Sequence, residues 1–311
     1  MDITIFAGKG GVGKSTLAGA YALNQSEENG VFMVDYDGGH SLTKVLALDG
    51  RLYTPNVLNR TGIKNLSIAV LDCINFEPIE ESQKIGKNVG EYLSQFRRDY
   101  GLIPFCDMIT TFFGGPTDIV STSKFSSLIE IYYQAKEEHV GSLIIDVEPT
   151  AGLERLLKST SLIARSIQNL QKTGWLKLKA LGMEWPDIAA YLRGDYITNA
   201  NKNAIKLEET ANALKTAEYT LVCMPLEDAV DQIEYLKKLV ISYGGTITGY
   251  AINNIMGEPL ESEQIQRVCY MADGKPVVKL KRNLGLLDRQ PDLRREALKE
   301  AGRELFRAIR L

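Results

Sequence analysis

The stretch Gly8-Lys9-Gly10-Gly11-Val12-Gly13-Lys14-Ser15-Thr16 follows a short apolar run, residues 3–7, and opens a segment of helical periodicity, residues 14–24. It fits G-x-x-x-x-G-K-[ST] in the strand–loop–helix context that gives the pattern its meaning. Glycines permit backbone angles that other residues resist and let successive N–H groups close on phosphate oxygens. The start of the following helix adds partial positive charge at the same place. Lys14 is expected to neutralise the β- and γ-phosphates, Ser15 to ligate Mg²⁺, and Thr16 to help hold the α-phosphate. The expected cofactors are therefore ATP and Mg²⁺.

Outward from this loop, short β-branched runs alternate with longer amphipathic stretches. Strands are expected at 3–7, 31–35, 66–71, 142–146, 220–224, 246–253 and 276–280, and helices at 14–24, 79–98, 125–136, 153–171, 203–216, 228–242 and 293–309. Most of the strand runs lack alternation, as strands buried on both faces do. The expected fold is α/β: a mostly parallel P-loop NTPase sheet with helices on both faces. Two intervals, 74–141 and 156–218, are too long for simple crossovers. They are read as helical insertions that add a helical layer to a single domain spanning 1–311.

Two other strands end in acidic residues: Val34-Asp35-Tyr36-Asp37-Gly38-Gly39-His40-Ser41-Leu42 and Ile145-Asp146-Val147-Glu148-Pro149-Thr150. Ligands in open α/β sheets sit beyond the carboxyl ends of the strands, so both segments should fall beside the phosphate loop. Asp146 suits a residue that holds Mg²⁺ and its waters. Asp37 suits the placement of an attacking water, and also the metal directly or through water. Asp35 could assist the metal. Capping of a following helix is the competing role for each carboxylate.

Lys9 is not required by the general loop pattern. Lys9-Gly-Gly-Val-Gly-Lys14-Ser-Thr resembles the deviant Walker A motif of a class that includes the nitrogenase iron protein, division-site-selection ATPases, and the arsenite-pump and tail-anchored-protein-targeting ATPases. That resemblance implies a homodimer in which Lys9 reaches the partner's nucleotide, a lysine counterpart of an arginine finger. Asp37-Gly-Gly-His40-Ser41-Leu42 is similar to the switch I element Asp-Pro-Ala-His-Ser-Leu of the arsenite-pump and tail-anchored-protein-targeting family. Asp146-Val-Glu-Pro-Thr150 with Arg155-Leu-Leu157 is similar to its switch II element. Ala251-Ile252-Asn253-Asn254 resembles a strand end whose asparagine reads adenine, a role that would fall to Asn253; an amide carries one donor and one acceptor edge suited to it. The resemblance implies that Lys9, Lys14 and Asp37 are catalytic. Cys223-Met224-Pro225-Leu226-Glu227 and Phe105-Cys106-Asp107-Met108 match the family more weakly. The chain departs from the family at Gly38-Gly39, where the family has Pro-Ala and where more backbone freedom is expected. It departs again at Ala151-Gly152-Leu153, which stands in place of Gly-His-Thr. The paired cysteines that hold zinc at many family dimer interfaces are absent.

Composition narrows the partners. A net charge of −3 over 311 residues carries no basic stripe of the kind a nucleic-acid binder shows. Cys73, Cys106, Cys223 and Cys269 form no Cys-x-x-Cys pair and read as reduced thiols. A thiolate site for a metalloid would need several of them brought together. The sequence begins directly on a strand and contains no run of about 18 apolar residues, so a cytoplasmic protein is expected. Trp185, Ile188, Ala189 and Leu192 form an apolar stripe that suits either the protein's own core or a hydrophobic client. The resemblance thus implies ATP/ADP exchange in a homodimer that serves a hydrophobic client protein or a membrane pump. The alternatives are a nucleotide-gated scaffold or chaperone with slow hydrolysis, and a metal-insertion or partitioning ATPase of the same class.

Overall fold

The computed structural model describes residues 1–38, 41–48, 54–71, 116–147, 149–154, 156–157, 205–206, 208–255, 262–281 and 291–310. Its centre is an eight-stranded sheet in the order β3-β4-β2-β5-β1-β6-β7-β8. The strands are β1 (Asp2–Gly8), β2 (Val31–Asp35), β3 (Leu58–Arg60), β4 (Leu66–Val70), β5 (Ser142–Asp146), β6 (Glu218–Cys223), β7 (Thr246–Ile255) and β8 (Val277–Lys281). Every neighbouring pair is parallel except β3 with β4, which is antiparallel. All five residues of β2 and of β5 are buried, which is why their sequences read as unbroken apolar runs.

The named helices are α1 (Lys14–Gln25), α2 (Ser41–Val45), α3 (Pro116–Glu137), α4 (Glu227–Ser242), α5 (Glu263–Ala272) and α6 (Pro291–Arg310). Residues 151–154, 156–157, 205–206 and 208–215 are also helical. All seven expected strands are present, with ends shifted by at most two residues. The short edge strand β3 and the helices α2 and α5 were not among the expected elements. The helix expected at 79–98, most of that at 153–171, and the stripe from Trp185 to Leu192 lie outside the described residues, as do His40, Glu148 and Arg155. Among the described residues, no helix is long and apolar enough to cross a membrane.

Register decides where the chemistry sits. Asp35 at the end of β2 lies opposite Asp146 at the end of β5, and Asp146 lies opposite Phe6 of β1, two residues before the phosphate loop. Three adjacent strands therefore deliver the loop and two carboxylates to one edge of the sheet. Behind the loop, α1 buries Leu17, Ala18, Gly19, Ala20, Tyr21, Ala22 and Leu23. Its small residues let α6 approach closely: a Cβ at Gly302 would lie 2.1 Å from the Ala20 carbonyl oxygen. Replacing a helix-interior glycine by alanine ordinarily gains about 1 kcal/mol in helix propensity. Here the contact is to backbone and cannot yield without moving a helix, so overpacking decides the sign. Gly302→Val is expected to lower the unfolding free energy by about 1–3 kcal/mol, measured by urea denaturation; an unchanged midpoint would show that α6 can withdraw from α1 at no cost.

Candidate functional site

The loop from Gly8 to Ser15 leaves β1 and closes on the first turn of α1. Gly13 caps that helix at φ 93°, ψ 24°, in the left-handed region, and a Cβ there would collide with the Asn253 side chain at 2.1 Å. Conformation therefore favours glycine here, and any side chain would also have to displace the Asn253 amide. Asn253 Nδ2 donates to the Val12 carbonyl at 3.0 Å, bracing the loop from the end of β7. Lys14 is buried, and its Nζ folds over the loop to donate to the Lys9 carbonyl at 3.1 Å. Burial lowers its pKa, while the charges of Asp146 and Asp37 pull it back up.

Around Lys14 stand Asp35, Asp37 and Asp146. Asp35 and Asp146 are buried and Asp37 is exposed. The Ser15 hydroxyl donates to Ser41 Oγ at 3.1 Å, and Ser41 Oγ lies 3.4 Å from Asp35 Oδ2 and 3.5 Å from Asp146 Oδ2. Burial raises the pKa of Asp146 from 3.8 to about 7; the Ser15 hydroxyl and the Lys14 charge oppose the rise, while Asp35 and Asp37 add to it. Its Oδ1 is buried without a hydrogen-bond partner. A buried carboxylate with an orphan oxygen, beside two further carboxylates and one ammonium, is short of positive charge. The donors are all hard oxygens. Among the described residues, no group of three or more His, Cys, Asp and Glu side chains could hold a metal ion. A cation that takes one or two protein oxygens and completes its shell with water and phosphate fits this set, which is the habit of Mg²⁺.

Asp35 takes up the capping role that competes with metal binding, and adds a second anchor. Its Oδ1 accepts the Gly38 N–H at 3.1 Å and its Oδ2 accepts the Leu42 N–H at 3.2 Å. It spans the segment that carries Asp37 and caps the start of α2. Gly38 meets it at φ 74°. Burial raises the pKa of Asp35, and the two backbone N–H groups work against that rise.

Two further contacts could not be read from local pattern. Lys9 forms an ion pair with Asp228 in the first turn of α4, 219 residues away, with side-chain exposures of 39 % and 67 %. The Thr150 hydroxyl is hydrogen-bonded to Gln232, also on α4. The switch II segment and the loop lysine therefore both meet the same helix.

A family model described as anion-transporting ATPase (ArsA_ATPase) matches residues 1–279. The comparison with curated proteins found no match. Among solved structures, "Structure of Cyanthece apo McdA" is similar over 100 % of this chain and 98 % of that one, at 12 % identity and a TM-score of 0.47. With a phosphate loop on β1, acidic strand ends in register beside it and a family match across nearly the whole sequence, the chain belongs to the ArsA family of anion-transporting ATPases.

Proposed function

We propose that this protein is a Mg²⁺-dependent ATPase of the cytoplasm whose active site is completed across a homodimer, and that it passes its nucleotide state to a helical layer formed within 74–141 and 156–218. The observation that carries the reading is the cluster of Lys14, Ser15, Ser41, Asp35 and Asp146 at the phosphate loop, with Asp146 Oδ1 unpartnered. Backbone N–H groups from Gly8 to Thr16 would cradle ATP, with Lys14 on the β- and γ-phosphates and Asn253 at the adenine. Ser15, Asp146 and Asp37 would hold Mg²⁺, directly or through water, and when bound that ion would supply positive charge to the phosphate oxygens. Asp37, exposed at the mouth of the site, orients the attacking water; phosphate leaves and ADP remains.

Lys9 acts on the partner's nucleotide. Its ion pair with Asp228 joins two solvated side chains, so the contact is weak and can be exchanged when a second copy approaches. The downstream partner is a hydrophobic client protein or a membrane pump, to be distinguished by capture on the Asp37→Asn protein held with ATP.

Lys14→Ala is expected to abolish ATP binding. Lys9→Ala is expected to keep binding while turnover drops by roughly 10³-fold or more, as for a missing arginine finger. Phosphate release at the wild-type rate by Lys9→Ala would sink the shared-site mechanism. Asp228→Asn is expected to lower the protein concentration at which ATP-bound dimer forms, measured by sedimentation.

Asp146 makes a separate prediction. Its folded pKa is raised, so the carboxyl costs stability as pH climbs from 3.8 to about 7, and the full cost persists above that. At pH 8 without nucleotide, Asp146→Asn should therefore raise the unfolding free energy, measured by urea denaturation. It should also abolish Mg²⁺-dependent hydrolysis. A lower melting temperature would show that the charge is already compensated.

A further inference from the structure

We propose that Lys124 is a positioning residue that sets the direction of Asp37 and ties switch I to helix α3. The proposal rests on the reading of Asp37 as the residue that orients water.

Lys124 lies on α3 and is only 4 % exposed, beside the buried Phe125 and Leu128. Its Nζ donates to the Tyr36 carbonyl at 2.9 Å and to the Asp37 carbonyl at 3.3 Å. It also stands 5.6 Å from the centre of the Tyr36 ring. The two carbonyls belong to the peptide groups on either side of the Asp37 Cα. Fixing both peptide planes fixes the Cα–Cβ direction of Asp37 and so limits where its exposed carboxylate can reach. A buried ammonium cannot give up its acceptors cheaply. Movement of the Asp37 segment must therefore either carry α3 with it or strip Lys124 of both bonds.

The other end of α3 shows where such movement would go. Lys136 pairs with Glu209 at 3.0 Å, the Tyr133 hydroxyl donates to Glu209 at 2.6 Å, and Lys206 reaches Glu130 at 3.4 Å. Helical residues 205–206 and 208–215 lead into β6, and α3 leads into β5. One helix thus touches the Asp37 segment through Lys124 and the helical residues before β6 through Glu130, Tyr133 and Lys136. Spatial continuity alone does not prove coupling, so the test measures coupling directly.

The experiment uses full-length protein carrying Lys124→Met, Lys124→Arg or Asp37→Asn. It records ATP hydrolysis, equilibrium binding of a fluorescent ATP analogue, and hydrogen exchange of peptides covering 116–137 and 205–216 with ADP or a non-hydrolysable ATP analogue. Lys124→Met is expected to lower kcat about 10- to 100-fold, the scale of a misplaced catalytic group, with analogue affinity nearly unchanged. The exchange difference between the two nucleotides should vanish, and Lys124→Arg should restore part of both signals. Should Lys124→Met not fold, Lys124→Gln takes its place. Wild-type kcat in the Met or Gln variant, or a lost kcat with the exchange difference intact, overturns the proposal. Wild-type hydrolysis by Asp37→Asn overturns the reading of Asp37 instead, and the exchange difference then decides whether Lys124 still links switch I to α3.

Discussion

Two carboxylates sit side by side because β2 and β5 are hydrogen-bonded in a register that sets Asp35 against Asp146. Neither can turn to solvent. Burial raises both pKa values; the charge of Asp37 adds to the rise at Asp35, and those of Asp35 and Asp37 add to it at Asp146, while Lys14 alone does not offset three nearby acidic groups. A fold that selected only for stability would replace one of them. Keeping both leaves a standing deficit of positive charge at the mouth of the phosphate loop. The deficit is what makes a divalent cation with a polyphosphate the natural complement of the site.

The rest of the structure holds that edge still. Helix α2 has five residues, too few to persist alone. It is fastened at both ends: Asp35 accepts from Leu42 at its start, and Arg295 donates to the Leu46 and Ala47 carbonyls at 3.1 and 3.3 Å beyond its end. Arg294 adds a bond to the Lys44 carbonyl at 3.0 Å. These arginines belong to α6, whose approach to α1 depends on Gly302. The C-terminal helix therefore supports the phosphate loop through α1 and the switch I segment through α2.

Legibility followed the range of each interaction. The loop, its strand and its helix are contiguous in sequence, and the buried strands announce themselves by composition, so both were readable. Helix α5 carries its own signal in the sequence: Ser262 caps it by accepting from the Ile265 N–H, and Ile265, Val268 and Ala272 supply a buried helical face. Edge strand β3 has three residues and only partial burial, too little for pattern to register. For Asp35 the sequence offers metal assistance or helix capping; its bond to the Gly38 N–H, which ties the segment between, depends on the turn after β2. Lys124 looked like any lysine on an amphipathic helix, because its burial depends on carbonyls 87 and 88 residues away.

Gly38 closes the physical account of switch I. The family element that this segment resembles has proline after the aspartate. Proline at 38 would fix φ near about −65° and would have no N–H to donate. In this chain the residue stands at φ 74° and gives its N–H to Asp35. The two features are a matched pair. With proline at 38, Asp35 would lose one of the backbone bonds that make its burial tolerable; without Asp35, the glycine would bring only freedom to a loop that must aim Asp37. The departure from the family's Pro-Ala thus does not simply loosen switch I. It transfers the restraint from a rigid ring to a buried carboxylate on the neighbouring strand.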